Sequence, residues 1–263
     1  MAIALVGESD IAPGEASTSP IIGSYSSSAG NTLIITGHLF DLNTGDFVAP
    51  TGITDTAGNT WQISTSSAQV PVTIQTPPLC SITDPSDGGS AHIADWVAWC
   101  VNAAAITSVT VSWEGGISTW TRLSISEWSG IVQFSNSWAG GSTSTASSSV
   151  TTGPVNLPAT GMLVVGALDF GDGGTETLPG GWTAFGSQPN LGYYLPPSSV
   201  GTSYSPVFTN TVTASWVAAL AVFSPVALSS NTGTQAVRSK LPRGPYVLGN
   251  PGLIYQVSRD GTP

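Results

Sequence analysis

TSVTVSWEGGISTWTRLSISEWSGI, residues 107–131, decides the fold class of this chain. Val109, Val111 and Trp113 alternate with Thr110 and Ser112. After Glu114-Gly115-Gly116, the residues Trp120, Arg122, Ser124 and Ser126 alternate with Thr121, Leu123, Ile125 and Glu127. A period of two sends successive side chains to opposite faces, and β-branched and aromatic residues suit a pleated, half-buried surface. The stretch reads as two β-strands around a turn, in a sheet that packs against a further layer. Nothing in it has the look of a reaction centre.

Working outward, the same signal recurs. Toward the N-terminus, Ala2–Gly7 reads as a short strand and Glu8–Ser28 as a Pro/Ser/Gly-rich stretch with little period. Thr32–Phe40 is a buried strand with Leu33, Ile35, Gly37 and Leu39 on one face and His38 on the other. Gly58-Asn59 takes positive φ cheaply and predicts a tight hairpin turn before a strand at Trp61–Ser64. Val70–Ile74 is a further strand, at an edge or a bulge because of Pro71. His92–Ala103 has helical spacing at Ile93, Trp96, Val97 and Cys100, but its β-rich surroundings favour a strand. Toward the C-terminus, Ser135–Gly153 is Ser/Thr/Gly-rich and predicts a surface excursion with at most one weak strand. Gly161–Phe170, Trp182–Phe185, Leu191–Leu195, Val207-Phe208 and Val212–Phe223 complete about twelve strands with no secure helix. The expected fold is all-β, an antiparallel, jelly-roll-like β-sandwich over residues 1–228.

Composition narrows the function classes. Charged residues make up 8% of the chain, against about 25% in ordinary domains, while 40% are hydrophobic, enough for a core. Residues 1–228 hold one base and 14 acids, a net of −13, and residues 229–263 hold four bases and one acid, a net of +3. An acidic body argues against non-specific nucleic-acid binding. No apolar run is long enough for a membrane span, and the N-terminus lacks the basic region of a signal peptide, so synthesis in a cytoplasm is expected. Cys80 and Cys100 are then expected as reduced thiols.

Residues 229–263 read differently from the body. They have no sustained period and cannot bury a core of their own, yet they carry apolar anchors between Pro-Gly turns. The expectation is an extended basic arm that docks on a neighbouring subunit through Arg238, Lys240, Leu241, Arg243, Tyr246, Ile254 and Tyr255.

Catalytic patterns are scarce. The histidines are His38 and His92, and no G-x-S-x-G elbow occurs. Asp169, Asp172 and Glu176 cluster, as do Asp84 and Asp87, but Asp-Gly-Gly sequences are usually turns. These loops lack EF-hand spacing, and no phosphate loop or dinucleotide fingerprint is present. No cofactor, metal ligand or catalytic residue is assigned. Nine tryptophans raise the possibility of glycan stacking, for which Trp138 and Trp182, beside glycines, are the candidates.

The succession Asp55-Thr56-Ala57-Gly58-Asn59-Thr60-Trp61, Ser108–Trp113 and Leu123-Ser124-Ile125-Ser126-Glu127-Trp128-Ser129-Gly130-Ile131 resembles a β-sandwich module of tailed bacteriophages that infect actinobacteria. Such proteins are usually called minor tail or virion structural proteins. Arg243-Gly244-Pro245 and Gly249-Asn250-Pro251-Gly252 look like the endings they carry. The resemblance spans roughly residues 30–223 and the arm. It implies a non-enzymatic virion component, made in the host cytoplasm, on the tail or decorating the capsid. Its partners would be other virion subunits, in a homo-oligomer or a multi-protein assembly. A glycan-binding host-attachment module and a glycan hydrolase are the alternatives.

Overall fold

The computed structural model of the chain describes residues 1–17, 21–41, 50–63, 79–84, 91–113, 119–170, 174–196 and 201–225. The chain divides into two units, Met1–Leu228 and Ser229–Pro263. The second unit, with all seven arm residues named above, lies outside the described residues, as does the expected strand at Val70–Ile74.

Among the described residues the fold is all-β, with no helix. The strands are β1 (Ala4–Ser17), β2 (Ile21–Ser24), β3 (Thr32–Asp41), β4 (Pro50–Asp55), β5 (Gln62–Ile63) and β6 (Leu79–Asp84). Then come β7 (Ala91–Cys100), β8 (Ser108–Trp113), β9 (Thr119–Ser129), β10 (Gln133–Thr151), β11 (Val155–Leu157) and β12 (Leu163–Phe170). The last are β13 (Glu176–Thr177), β14 (Thr183–Phe185), β15 (Gln188–Tyr194), β16 (Gly201–Tyr204) and β17 (Val207–Ser224). Every pairing is antiparallel.

One six-stranded sheet has the order β1-β9-β3-β7-β5, with β6 also on β7. A second has the order β10-β17-β12-β15-β14, with β13 on β17. Two small sheets, β2-β8-β4 and β11-β16, complete the set.

Strand alternation explains how these layers share three cores. On the first sheet, Leu33, Ile35, Trp96, Ala98, Leu123 and Ile125 meet Val109 and Val111 of β8. The opposite faces of the same strands present Ile34, Val97, Trp99 and Trp128, which meet Leu163, Val165, Ala167, Ala221 and Phe223 of the second sheet. The outer face of the second sheet, with Val164, Leu168, Leu220 and Val222, meets Val155 and Leu157 of β11. At their central strands both large sheets are thus buried on both faces. That is why β12 is buried at all eight positions and reads as an unbroken apolar run.

Several expectations need correction. The two strands of residues 107–131 do not share a sheet: β8 lies in the small sheet and β9 in the first large sheet, facing each other across a core. The Gly58-Asn59 turn likewise joins β4 to β5 in different sheets, so it is a crossover and not a hairpin. The polar stretch Ser135–Gly153 lies in the nineteen-residue β10 up to Thr151, with the β10 backbone paired along β17 from Gln133↔Ser224 to Thr151↔Val207. Serine and threonine supply the same ladder groups as valine, so hydropathy did not reveal it. β1 continues to Ser17, through the stretch that lacks a period, because it pairs with β9 through three register shifts that break the alternation.

Candidate functional site

The strand register carries five ionisable side chains into the seam between the two large sheets. β3 contributes His38, β7 Asp95 and β9 Arg122, all on the face that holds Ile34 and Val97. The second sheet contributes Asp169 from β12 and Glu176 from β13. His38 Nδ1 lies 2.9 Å from Asp95 Oδ1, and His38 Nε2 lies 3.2 Å from Asp169 Oδ2. Arg122 Nη1 donates to Glu176 Oε2 at 3.3 Å, and the other Glu176 oxygen accepts the Phe170 N–H at 3.3 Å.

The seam is dry. His38 is 3% exposed, Asp95 0% and Asp169 8%. Burial drives the His38 imidazole down to about 3, and the Arg122 guanidinium adds to the effect. Burial also raises Asp95 well above the usual carboxylate range, helped by the Glu176 charge. Asp169 is raised in the same way, and Glu176 adds to it by charge and through a hydrogen bond. Chemically, a histidine between two acids resembles part of a hydrolytic centre. Here, however, the groups bond one another across two sheets, and a substrate would have to part those sheets to reach them.

Sequence signals for this cluster existed. Arg122 is the single base in residues 1–228, and Asp95 interrupts the apolar run His92–Ala103. Asp169 and Glu176 stood out as a cluster. Nothing local tied either pair to His38, because the strand pairing that joins them is long-range.

The motifs of the resemblance are also engaged inside the fold. Asp55 Oδ1 accepts the N–H groups of Ala57 (2.8 Å) and Asn59 (3.2 Å), and Oδ2 accepts Trp61 Nε1 (2.6 Å) and Asn59 Nδ2 (3.1 Å). These bonds hold its carboxyl below the usual range against the opposing effect of burial. The Asn59 amide then bridges both backbone groups of Ala104, at 2.7 and 3.1 Å. Glu127 is buried and accepts Asn31 Nδ2 (2.6 Å), the Ser28 N–H (2.9 Å) and Tyr25 Oη (3.4 Å). Trp128 Nε1 donates to Ser126 Oγ at 2.8 Å. Gly130 has φ of +79° and lies against the Ala2 backbone, where a Cβ would clash.

Of the glycan candidates, Trp182 is half-buried on the outer face of the second sheet. Its ring plane lies within 9° of that of Tyr194, which in turn stacks on Tyr204 at 4.9 Å. Trp182 Nε1 donates to Tyr204 Oη at 2.7 Å. The Trp138 backbone pairs with Ala221 on β17, and its side chain lies outside the described residues. Elsewhere, a cleft of about 300 Å³ is lined by Gln62, Trp99, Val101, Val132, Gln133 and Phe134. Among the described residues no cluster of three or more His, Cys, Asp or Glu side chains has the arrangement of a metal site. Cys100 is a free, buried thiol.

Comparison of this chain with protein-family models, with curated proteins and with solved structures finds no match in any of the three.

Proposed function

We propose that this chain is a non-enzymatic structural component of a tailed-phage virion, a minor tail or capsid-decorating protein. It displays a jelly-roll-like β-sandwich and is anchored to neighbouring subunits by its C-terminal arm. The observation that carries this reading is the use made of the motif residues. Asp55, Asn59, Trp61, Ser126, Glu127 and Trp128 all direct their polar groups into turns and strand contacts of the fold. A module whose distinctive residues maintain its own architecture suits a scaffold. The charge-poor surface and the basic segment 229–263 on an acidic chain fit the same role. Immunogold labelling of purified particles, with antibody raised against residues 1–228, tests it. Gold on the particles supports the assignment; gold confined to host debris overturns it.

A second reading, glycan-binding host attachment, is favoured by the near-parallel rings of Trp182, Tyr194 and Tyr204. Aromatic faces stack on sugar rings, and the tyrosine hydroxyls would bond the sugar's own hydroxyls.

A further inference from the structure

We propose that Asp95, His38, Asp169, Glu176 and Arg122 form one proton-holding seam between the two large sheets, so that the body tightens in mild acid and loosens in alkali. The argument begins with geometry. Asp169 touches His38 on one side and Glu176 on the other. Two carboxyl groups hydrogen-bond each other only through a proton. Arg122 and the Phe170 N–H already donate to the two Glu176 oxygens, so the proton of the carboxyl pair is placed on Asp169. His38 Nε2 then donates to Asp169, and a second proton lies between His38 Nδ1 and Asp95 Oδ1. With the Arg122 cation balancing the Glu176 anion, the five-residue chain is electrically neutral. Losing a proton leaves an uncompensated charge at the buried end of the seam, which is costly.

Few other ionisable groups face this seam among the described residues. β17 contains none. Tyr193 of β15 packs on Trp128. Asp10 and Glu8 of β1 stand beside the seam: Asp10 Oδ1 lies 3.5 Å from Ser124 Oγ, its Oδ2 accepts from Ser187 Oγ at 2.9 Å, and Glu8 Oε1 accepts the Gly186 N–H at 3.0 Å. The two carboxyls hold protons that the unfolded chain releases above the ordinary value of 3.8. Their stabilisation is full below that pH and is lost as pH rises through their raised values. His38 acts in the opposite sense. Its contribution is full above the ordinary 6.5 and is lost as pH falls toward about 3. While the pH stays below the raised values of both carboxyls, the folded state holds a net excess of one proton between 3.8 and 6.5 and of two above 6.5. Stability therefore falls with rising pH across the neutral range.

The test uses the full-length protein. Its melting temperature from pH 5 to pH 8 should fall by roughly 3–5 °C per pH unit for each excess proton. Asp169→Asn keeps a donor toward Glu176 and an acceptor toward His38 but cannot ionise, so above pH 6.5 it should lose about half of that slope. Infrared spectroscopy of the wild-type protein at pH 7 provides a second measure that needs no variant. The carbonyl stretch of protonated carboxyl groups should be present in the folded state and vanish on unfolding. A melting temperature that rises from pH 5 to pH 8, or absence of that band, overturns the proposal.

Discussion

His38 and Asp169 belong to different sheets, yet His38 Nε2 lies 3.2 Å from Asp169 Oδ2. Together with the Arg122–Glu176 pair, this contact places the main polar contacts of the seam beside the apolar core of Trp99, Trp128 and Phe223. Apolar contact supplies the area, and the polar cluster restricts the sheets to one relative register. A slip of one residue along β3 would turn His38 away from the seam.

Glu127 is the acceptor for three donors from the segment between β2 and β3. Glu127→Ala leaves Asn31, Ser28 and Tyr25 without it. The variant should lose about 1–3 kcal/mol, the cost of leaving the buried Tyr25 hydroxyl without its acceptor, because the Ser28 and Asn31 donors are partly exposed and can turn to water. Chemical denaturation of wild type and variant measures this directly. An unchanged midpoint would show that the buried carboxylate does not hold that segment.

Gly37 faces the Trp96 ring, and a Cβ there would overlap it and come within 2.8 Å of a Leu123 methyl. Gly37→Ala should destabilise by about 1–3 kcal/mol through overpacking. Thermal unfolding checks it. Wild-type stability in this variant would mean that the core beneath Trp96 is looser than its burial implies.

The Asp55 carboxyl is held below the usual range by four hydrogen bonds. A depressed folded value means that its stabilisation is present above the ordinary 3.8 and is lost as pH falls through the depressed value. Asp55→Ala should cost about 1–2 kcal/mol at pH 7 and progressively less in acid, as the pH falls through the depressed value and the wild-type group takes up a proton. Denaturation at pH 7 and in acid reads the difference. An equal loss in both would assign the effect to packing and not to the carboxylate.

Much of this architecture was legible in local pattern. Thr32–Phe40, His92–Ala103 and Gly161–Phe170 read as strands and are strands, because each carries dense apolar and β-branched residues. The face assignment that sets Leu33 and Ile35 opposite His38 also holds. Trp113 and Trp216, large apolar side chains in polar-alternating strands, read as buried between two sheets; Trp216 is instead half-buried against the outer core, while the Trp113 side chain lies outside the described residues. The polar β10 and the bulged β1 were illegible because backbone pairing, not side-chain pattern, makes them strands. The seam cluster was legible only as fragments. Its members are brought together by pairings between distant segments, such as His38↔Asp95 and His38↔Arg122.

The Cys100 thiol is buried, and burial raises it above its ordinary value. It should react slowly with an alkylating reagent in the native protein and rapidly once unfolded, since the thiolate is the nucleophile. Mass spectrometry of the Cys100 peptide after timed labelling reads the two rates. Equal rates would place this end of β7 in solvent.

The arm assignment predicts that a chain ending at residue 228 folds, is soluble and fails to enter particles. The bases and apolar anchors of 229–263 would supply orientation and contact area on the neighbour. Incorporation of the truncated chain at the wild-type level would remove the arm as anchor.

The claim that the chain is a virion component is tested most directly by an electron cryo-microscopy map of the intact particle. The map should contain repeated copies of two facing six-stranded sheets flanked by the small β2-β8-β4 and β11-β16 sheets, on the tail or on the capsid surface. A complete particle map in which every density is accounted for by other chains would contradict it.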